Sequence, residues 1–242
     1  TRPLNASDVQ TLRSLYAKTG DKAFAETYVQ GQSITLISGG KPPVPIAREY
    51  YVRLDLLGSD ILNNVAIHES DPLFPQLTLT LDGLMLGMHK LFNPSGAKCA
   101  LNLTLESVAG NAFQKFIEAN GDAKLSNVIV ELRMADIMRD LRKYQAAQAT
   151  VRALGGNIAV DTIDPAALGV INLVGFNANI AKIAWRQSGM EDLARNRANI
   201  RQAQEAGCIV VLCRVDSELG LQVGREVGIT AFQGLHVEGM ML

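Results

Sequence analysis

Several polar residues in this 242-residue chain sit at or near the ends of short apolar runs, and their types suggest one shared piece of chemistry. Asn102, Glu131 and Asp161 each close such a run, Asp216 follows shortly after another, Lys182 lies inside one, and Gln233 ends the last. Carboxylates with an amide oxygen form a ligand set for one hard cation, Mg²⁺ or Ca²⁺, which take oxygen ligands. Zinc is disfavoured because no His or thiolate stands at ligand spacing. A bound phosphodiester would complete the shell of such an ion. A single acid at a strand end is more often an N-cap or turn former, so the order shared by the whole set is what points to a site.

The elements around these residues alternate. Asn127 to Glu131 and Asn157 to Asp161 read as buried strands, separated by a helical stretch through Ile137, Leu141, Tyr144, Val151 and Leu154 that Gly155-Gly156 stops. Strands follow near Asn179 to Ile183, Ile209 to Val215 and Ile229 to Gln233, with a short helix from about Pro165 and longer ones over Glu191 to Ala206 and Ser217 to Val227. Upstream, a strand spans Cys99 to Leu103 and a helix spans Leu77 to Lys90, where Met85 and Met88 fit core packing. The opening differs: a helix from about Ala6 to Lys22, a strand near Ile34 to Ile37, then Gly39-Gly40-Lys41-Pro42-Pro43 and a second extended stretch from Ile46 to Leu54. A turn that short joins antiparallel neighbours. One α/β barrel accommodates the pattern, with residues 1–30 as a helical lead-in and 31–242 as the barrel domain. In a closed parallel barrel, the strand ends converge on the C-terminal face, which would bring the polar residues together.

Composition excludes other classes. Lys and Arg number 23 against 24 Asp and Glu, a formal charge of −1, so no global field favours a nucleic-acid polymer. Ile209 to Cys213 is among the longest apolar runs, far short of the roughly 20 residues of a membrane helix, so no membrane contact by this domain is expected. Cys99, Cys208 and Cys213 lie in or beside apolar runs without CxxC spacing, which favours a reducing compartment over disulfides or zinc. The chain opens on Thr1 and reads as a piece of something longer, cytoplasmic or the soluble part of a membrane-attached protein. His68, His89 and His236 are too scattered for a ligand set, and Arg139, Arg142, Lys143, Arg195, Arg197 and Arg201 read as solvated helix faces. Trp185 and Arg186 have the flat faces to stack on a purine, with capping of the barrel rim an equal reading for Trp185.

The motifs resemble a known family. Glu49-Tyr50-Tyr51-Val52-Arg53 is similar to the Glu-Ala-Leu-x-Arg signature of EAL domains, the bacterial phosphodiesterases that linearise cyclic di-GMP. In order, Asn102-Leu103-Thr104 resembles the family's Asn-Leu-Ser, Glu131-Leu132 its Glu-Leu-Thr-Glu, and Asp161-Thr162-Ile163-Asp164 its Asp-Asp-Phe-Gly. Ala181-Lys182-Ile183-Ala184 resembles Ile-Lys-Ile-Asp, Leu212 to Ser217 stands where the family has Ala-Glu-Gly-Val-Glu-Thr, and Ile229 to Gly234 resembles its last strand with Gln-Gly. The resemblance covers the chain from about Gln32 to its end. It implies a modified TIM barrel with antiparallel first strands. It also implies roles: Glu49, Asn102, Glu131 and Asp161 on one metal, Arg53 on phosphate, Lys182 orienting water, and Asp216 and Gln233 completing the pocket floor.

The departures bear on activity. Two-metal phosphodiester hydrolysis needs two ions about 3.5–4 Å apart. Thr162 replaces the second Asp and removes a charged ligand, while Cys213 replaces a Glu, and a thiol of ordinary pKa about 8.5 is a poor Mg²⁺ ligand or base. Asp216 is one methylene shorter than the usual Glu, and Asp164-Pro165-Ala166-Ala167-Leu168-Gly169 departs from a Gly-rich loop tied to metal binding and dimerisation. The expectation is a degenerate EAL domain that binds cyclic di-GMP through Glu49, Arg53, Asp161, Lys182, Trp185, Asp216 and Gln233, with at most one Mg²⁺ or Ca²⁺. It would signal to a bacterial signalling or flagellar protein in motility or surface-attachment control, with homodimer formation left open. A ligand-free interaction scaffold, and a weak phosphodiesterase giving pGpG, stand as the alternatives.

Overall fold

The structure, a computed structural model, describes residues 2–62, 65, 67 and 72–241, so His68 lies outside the described residues. The apolar runs form β1 (Val29–Leu36), β2 (Val44–Val52), β3 (Cys99–Asn102), β4 (Val128–Arg133), β5 (Asn157–Ile163), β6 (Ile180–Ala184), β7 (Ile209–Cys213) and β8 (Ala231–Phe232). They pair in chain order and β8 returns to β1, which closes the barrel. β1 is antiparallel to β2 and β8, and the remaining pairs are parallel. The Gly39 to Pro43 turn makes that first hairpin, as its length requires, and the expected modified TIM barrel is the fold observed.

Successive strand residues face opposite sides of the sheet. Outward residues such as Leu101, Val130, Ile158, Val160, Ile183 and Leu212 are buried under the surrounding helices. Inward, Ile34, Ala47, Ala100, Ile129, Ala159, Ile180, Val211 and Ala231 fill the barrel interior. A second cluster lies under the lead-in, where Val9, Leu12, Phe24 and Tyr28 pack with Leu77, Leu81 and Met88 of the Phe74–Phe92 helix. Burying side chains of this size stabilises by about 2 kcal/mol each. No helix among the described residues is long and apolar enough to cross a membrane.

Local chemistry moves several expected boundaries. The first helix stops at Thr19 because Gly20, at φ 77°, turns the chain into a separate helix, Asp21–Tyr28, and β1 already begins at Val29. The stretch through Ile137 and Leu154 splits into Met134–Arg139 and Leu141–Ala153, since the Asp140 carboxylate accepts from the Lys143 N–H and starts a new helix. Glu191 to Ala206 breaks likewise at Asn196, whose side chain donates to the Asp192 carbonyl. The segment from Pro165 to Gly169 is a 3₁₀ turn.

Candidate functional site

One layer toward the barrel mouth, the interior changes character. Two residues beyond each inward apolar residue the strands present Glu49, Asn102, Glu131, Asp161, Lys182, Cys213 and Gln233, and on the reversed β1 the step runs back from Ile34 to Gln32. The period of two makes all eight face inward, and closure of the barrel makes them one surface. Alanine at four positions of the layer beneath leaves room below the longer polar side chains.

Lys182 organises this floor. Its Nζ lies 2.8 Å from Glu49 Oε2, 2.5 Å from Glu131 Oε2 and 3.7 Å from Asp161 Oδ1, with the lysine side chain 2% exposed. Glu49 also accepts from Asn102 Nδ2 and Gln233 Nε2, both at 2.5 Å. Burial alone would push the Glu49 carboxyl up, but the Lys182 charge and these donors outweigh it and hold it below the ordinary value. Glu131 goes the other way: burial, reinforced by the Glu49 charge, raises it well above that value despite Lys182. Burial opposes charge on Lys182 too, yet the three carboxylates raise its pKa well above the ordinary value and keep the ammonium charged. Cys213 is pushed up by burial, stays a thiol, and stands 3.6 Å from Gln233 Oε1.

Above the floor opens a cavity of about 460 Å³, walled by Tyr51, Leu54, Phe74, Leu81 and Met85 and edged by Arg133 and Arg214. Of the residues singled out from sequence, Gln233, Lys182, Asp161, Asn102 and Glu49 line it, with Thr162 and Cys213, and Glu131 lies buried against Lys182. Three do not reach it. Arg53 turns outward, with Nε 2.8 Å and Nη2 2.5 Å from the Asp55 carboxylate. Trp185 lies against Gly220, where a Cβ would fall 2.8 Å from the indole nitrogen. Asp216 accepts from the Leu235 N–H at 2.8 Å, nineteen residues along the chain. Arg186 pairs with Asp164, His89 with Asn120, and His236 with Glu218.

Sequence reasoning missed Gln32, Phe74, Asp82, Arg133 and Arg214. Gln32 was legible as the residue two before an inward apolar one on a reversed strand. Arg133 ends β4 two residues beyond Glu131 and was legible the same way, whereas Phe74 and Asp82 come from a helix and Arg214 from the loop after β7, for which strand periodicity gives no signal. Arg133 holds Asp136 at 2.9 Å and lies over the Phe74 ring at 5.1 Å from its centroid.

Asp82, on the Phe74–Phe92 helix, accepts from the Thr104 N–H at 2.8 Å and the Ser107 hydroxyl at 2.6 Å, tying that helix to the loop after β3. Burial raises its pKa to about 6 against these bonds. A raised native pKa gives stabilisation that is complete below the ordinary carboxylate value and lost as pH rises through about 6. Asp82→Asn is therefore expected to flatten the stability profile between pH 4 and 6 by up to about 3 kcal/mol. Urea melts across that range test it, and parallel wild-type and variant curves would refute it.

The donor types on the floor suit a hard cation. Glu131 Oε1 is buried without a hydrogen-bond partner among the described residues, and three acids surround a single ammonium, so the floor has an unused oxygen. The Thr162 hydroxyl donates to its neighbour's carbonyl and Cys213 is a protonated, soft thiol, so neither adds a charged hard ligand. As the side chains stand, no group of three His, Cys, Asp or Glu among the described residues is arranged to hold an ion, because Lys182 occupies the space between the acids.

No protein-family model and no curated protein matches this sequence. Solved structures do match. The chain is similar to the Vibrio cholerae LapD S helix-GGDEF-EAL structure without ligand at 15% identity and TM-score 0.64, over 98% of this chain and 58% of that one. It thus spans little more than half the length of that protein. It is similar to the Xanthomonas citri FimX EAL domain in complex with c-diGMP at 12% identity and TM-score 0.63, over 95% and 93% of the two chains. A Klebsiella pneumoniae BlrP1 complex with calcium and cyclic di-GMP matches at 16% identity and TM-score 0.58, over 97% and 66%. With the reversed first strand, the closed eight-strand order and this likeness along nearly its whole length, the chain has the fold of an EAL domain.

Proposed function

We propose that the barrel mouth binds cyclic di-GMP and does not hydrolyse it efficiently, so that the domain acts as a receptor whose occupancy is passed to a protein partner. The observation that carries this reading is the floor itself. The chain presents Glu49, Asn102, Glu131, Asp161, Lys182 and Gln233 together at the strand ends, in the order in which EAL domains bring such residues, while Thr162 and Cys213 take the places where hydrolysis needs a charged ligand and a base. The likeness to FimX and BlrP1 structures that hold this nucleotide supports the ligand.

One Mg²⁺ or Ca²⁺ held by Glu49, Asn102, Glu131 and Asp161 belongs to the proposal, and it would supply positive charge for the phosphodiester. The chain's own groups do the rest. Lys182 offsets the acids, Gln233 and Asn102 fix the Glu49 carboxylate, and the apolar wall of Leu54, Phe74, Leu81 and Met85 gives the bases a surface without water. Arg53, Trp185 and Asp216 enter this reading only if ligand draws them from their present partners. A cytoplasmic setting, attachment to a larger membrane protein, a flagellar or other signalling partner in motility or surface attachment, and a homodimer complete the proposal.

Isothermal titration with Ca²⁺ present is expected to give binding at tens of micromolar nucleotide or tighter, weakened about tenfold by chelator, with no pGpG on chromatography over hours. Absence of heat at that concentration would leave an interaction scaffold as the better reading. Appearance of pGpG at a rate abolished by Glu49→Ala would make the domain an enzyme instead.

A further inference from the structure

We infer that Arg214 is an anion-binding arm of this site and grips a phosphodiester of the nucleotide. The inference deepens the cyclic di-GMP reading and rests on it for the identity of the ligand. Four described non-glycine residues have positive φ, and two of them, Thr162 at 55° and Arg214 at 62°, line the same cavity. A side chain in that region is strained where glycine is not, and such strain persists only where its surroundings impose it. The surroundings of Arg214 do so: the Cys213 carbonyl accepts from the Trp185 N–H at 2.8 Å, and the Val215 N–H donates to the Gln233 carbonyl at 3.0 Å. The backbone is thus held on both sides, and its course places the Arg214 side chain at the edge of the mouth.

That side chain is exposed and has no hydrogen bond or ion pair within the described structure. The neighbouring arginines differ. Arg53 is engaged by Asp55, Arg133 by Asp136 and Arg186 by Asp164. Among the described residues, Arg214 is the arginine of the cavity lining that keeps its guanidinium uncommitted, whereas the ammonium of Lys182 is taken up by the acids of the floor. A planar fork of donors matches two oxygens of a phosphate, and a cyclic dinucleotide with two phosphates needs positive charge away from the acids.

Titration calorimetry of wild type, R214G and R214K with cyclic di-GMP tests the assignment. R214G is expected to bind about tenfold more weakly, with a shallower salt dependence, and R214K to recover part of the loss. The thermal midpoint of R214G should equal or exceed that of wild type, since glycine accepts φ 62° without strain, so weaker binding cannot come from misfolding. Equal affinity of R214G and wild type overturns the inference and leaves the nucleotide reading standing. If wild type fails to bind cyclic di-GMP, inorganic phosphate added to protein with ¹⁵N-labelled arginine separates the two ideas. A guanidinium resonance that shifts with phosphate and is missing from R214G keeps the arm after the nucleotide has been rejected, and no shift rejects both.

Discussion

Lys182→Met is expected to destabilise the barrel by about 3–5 kcal/mol at neutral pH, the cost of leaving buried carboxylates without their counter-charge. Wild-type Lys182 lies within 4 Å of three acids, and Glu131 is completely enclosed. The pH dependence separates this from loss of packing. In the wild type, Glu49 sits below its ordinary value, so its contribution is present above about 4.5 and lost as pH falls. In the variant, burial acts on Glu49 and Glu131 unopposed and raises both, so their protonated forms are favoured and the variant gains stability relative to wild type on acidification. Urea melts from pH 5 to 8 read both effects. Adding Glu131→Gln to the variant should restore part of the loss, because one of the uncompensated charges is gone. A single variant within 1 kcal/mol of wild type at pH 7 would mean that the acids are already neutral and that Lys182 does not organise the floor.

Gly234→Ala is expected to cost about 3 kcal/mol and to loosen the site at the same time. A Cβ there would fall 2.3 Å from the Val215 carbonyl oxygen and 2.4 Å from its nitrogen, and φ is 155°, so neither neighbour nor backbone can give way cheaply. The adjacent Gln233 donates to Glu49 and its carbonyl accepts from the Val215 N–H, so relief of the clash moves the amide off the carboxylate. The measurements are a denaturation midpoint and nucleotide affinity. Gly39→Ala is the control, since nothing lies within 4 Å of its Cβ position. Equal stability of the two variants would show that the segment after β8 shifts freely.

Much of the floor was legible along the chain. A polar residue recurring two places beyond an inward alanine or β-branched residue is a one-dimensional pattern, and Glu49, Asn102, Glu131, Asp161, Lys182 and Gln233 follow it because strands alternate faces. The reversed β1 was legible from Gly39 to Pro43, too short a link for a parallel crossover. Helix breaks at Asp140 and Asn196 were not legible, because apolar periodicity continues across a cap that a single side chain creates.

Three residues named from sequence lie off the cavity lining for a related reason. Arg53 and Asp216 match motif positions, yet each has an acid or an amide N–H close by in the folded chain, and a charged group near the rim pairs with whatever partner the fold brings within 3 Å. Trp185 was placed by a glycine thirty-five residues later, Gly220, whose missing side chain makes room for the indole. Such contacts depend on how helices pack over the barrel.

The sequence by itself determined a closed barrel with a reversed first strand and a ring of inward polar residues, because hydrophobic alternation and turn length act locally and repeat along the chain. Only the tertiary structure decided which of these residues share the Lys182 ammonium, that Lys182 rather than a ring of free ligands lies between the acids, and that among the described residues Arg214 is the cavity arginine left uncommitted. The Lys182 pairs with Glu131 and Glu49 join residues 51 and 133 positions apart, and electrostatic pairing is set by distance and burial, which no local pattern encodes.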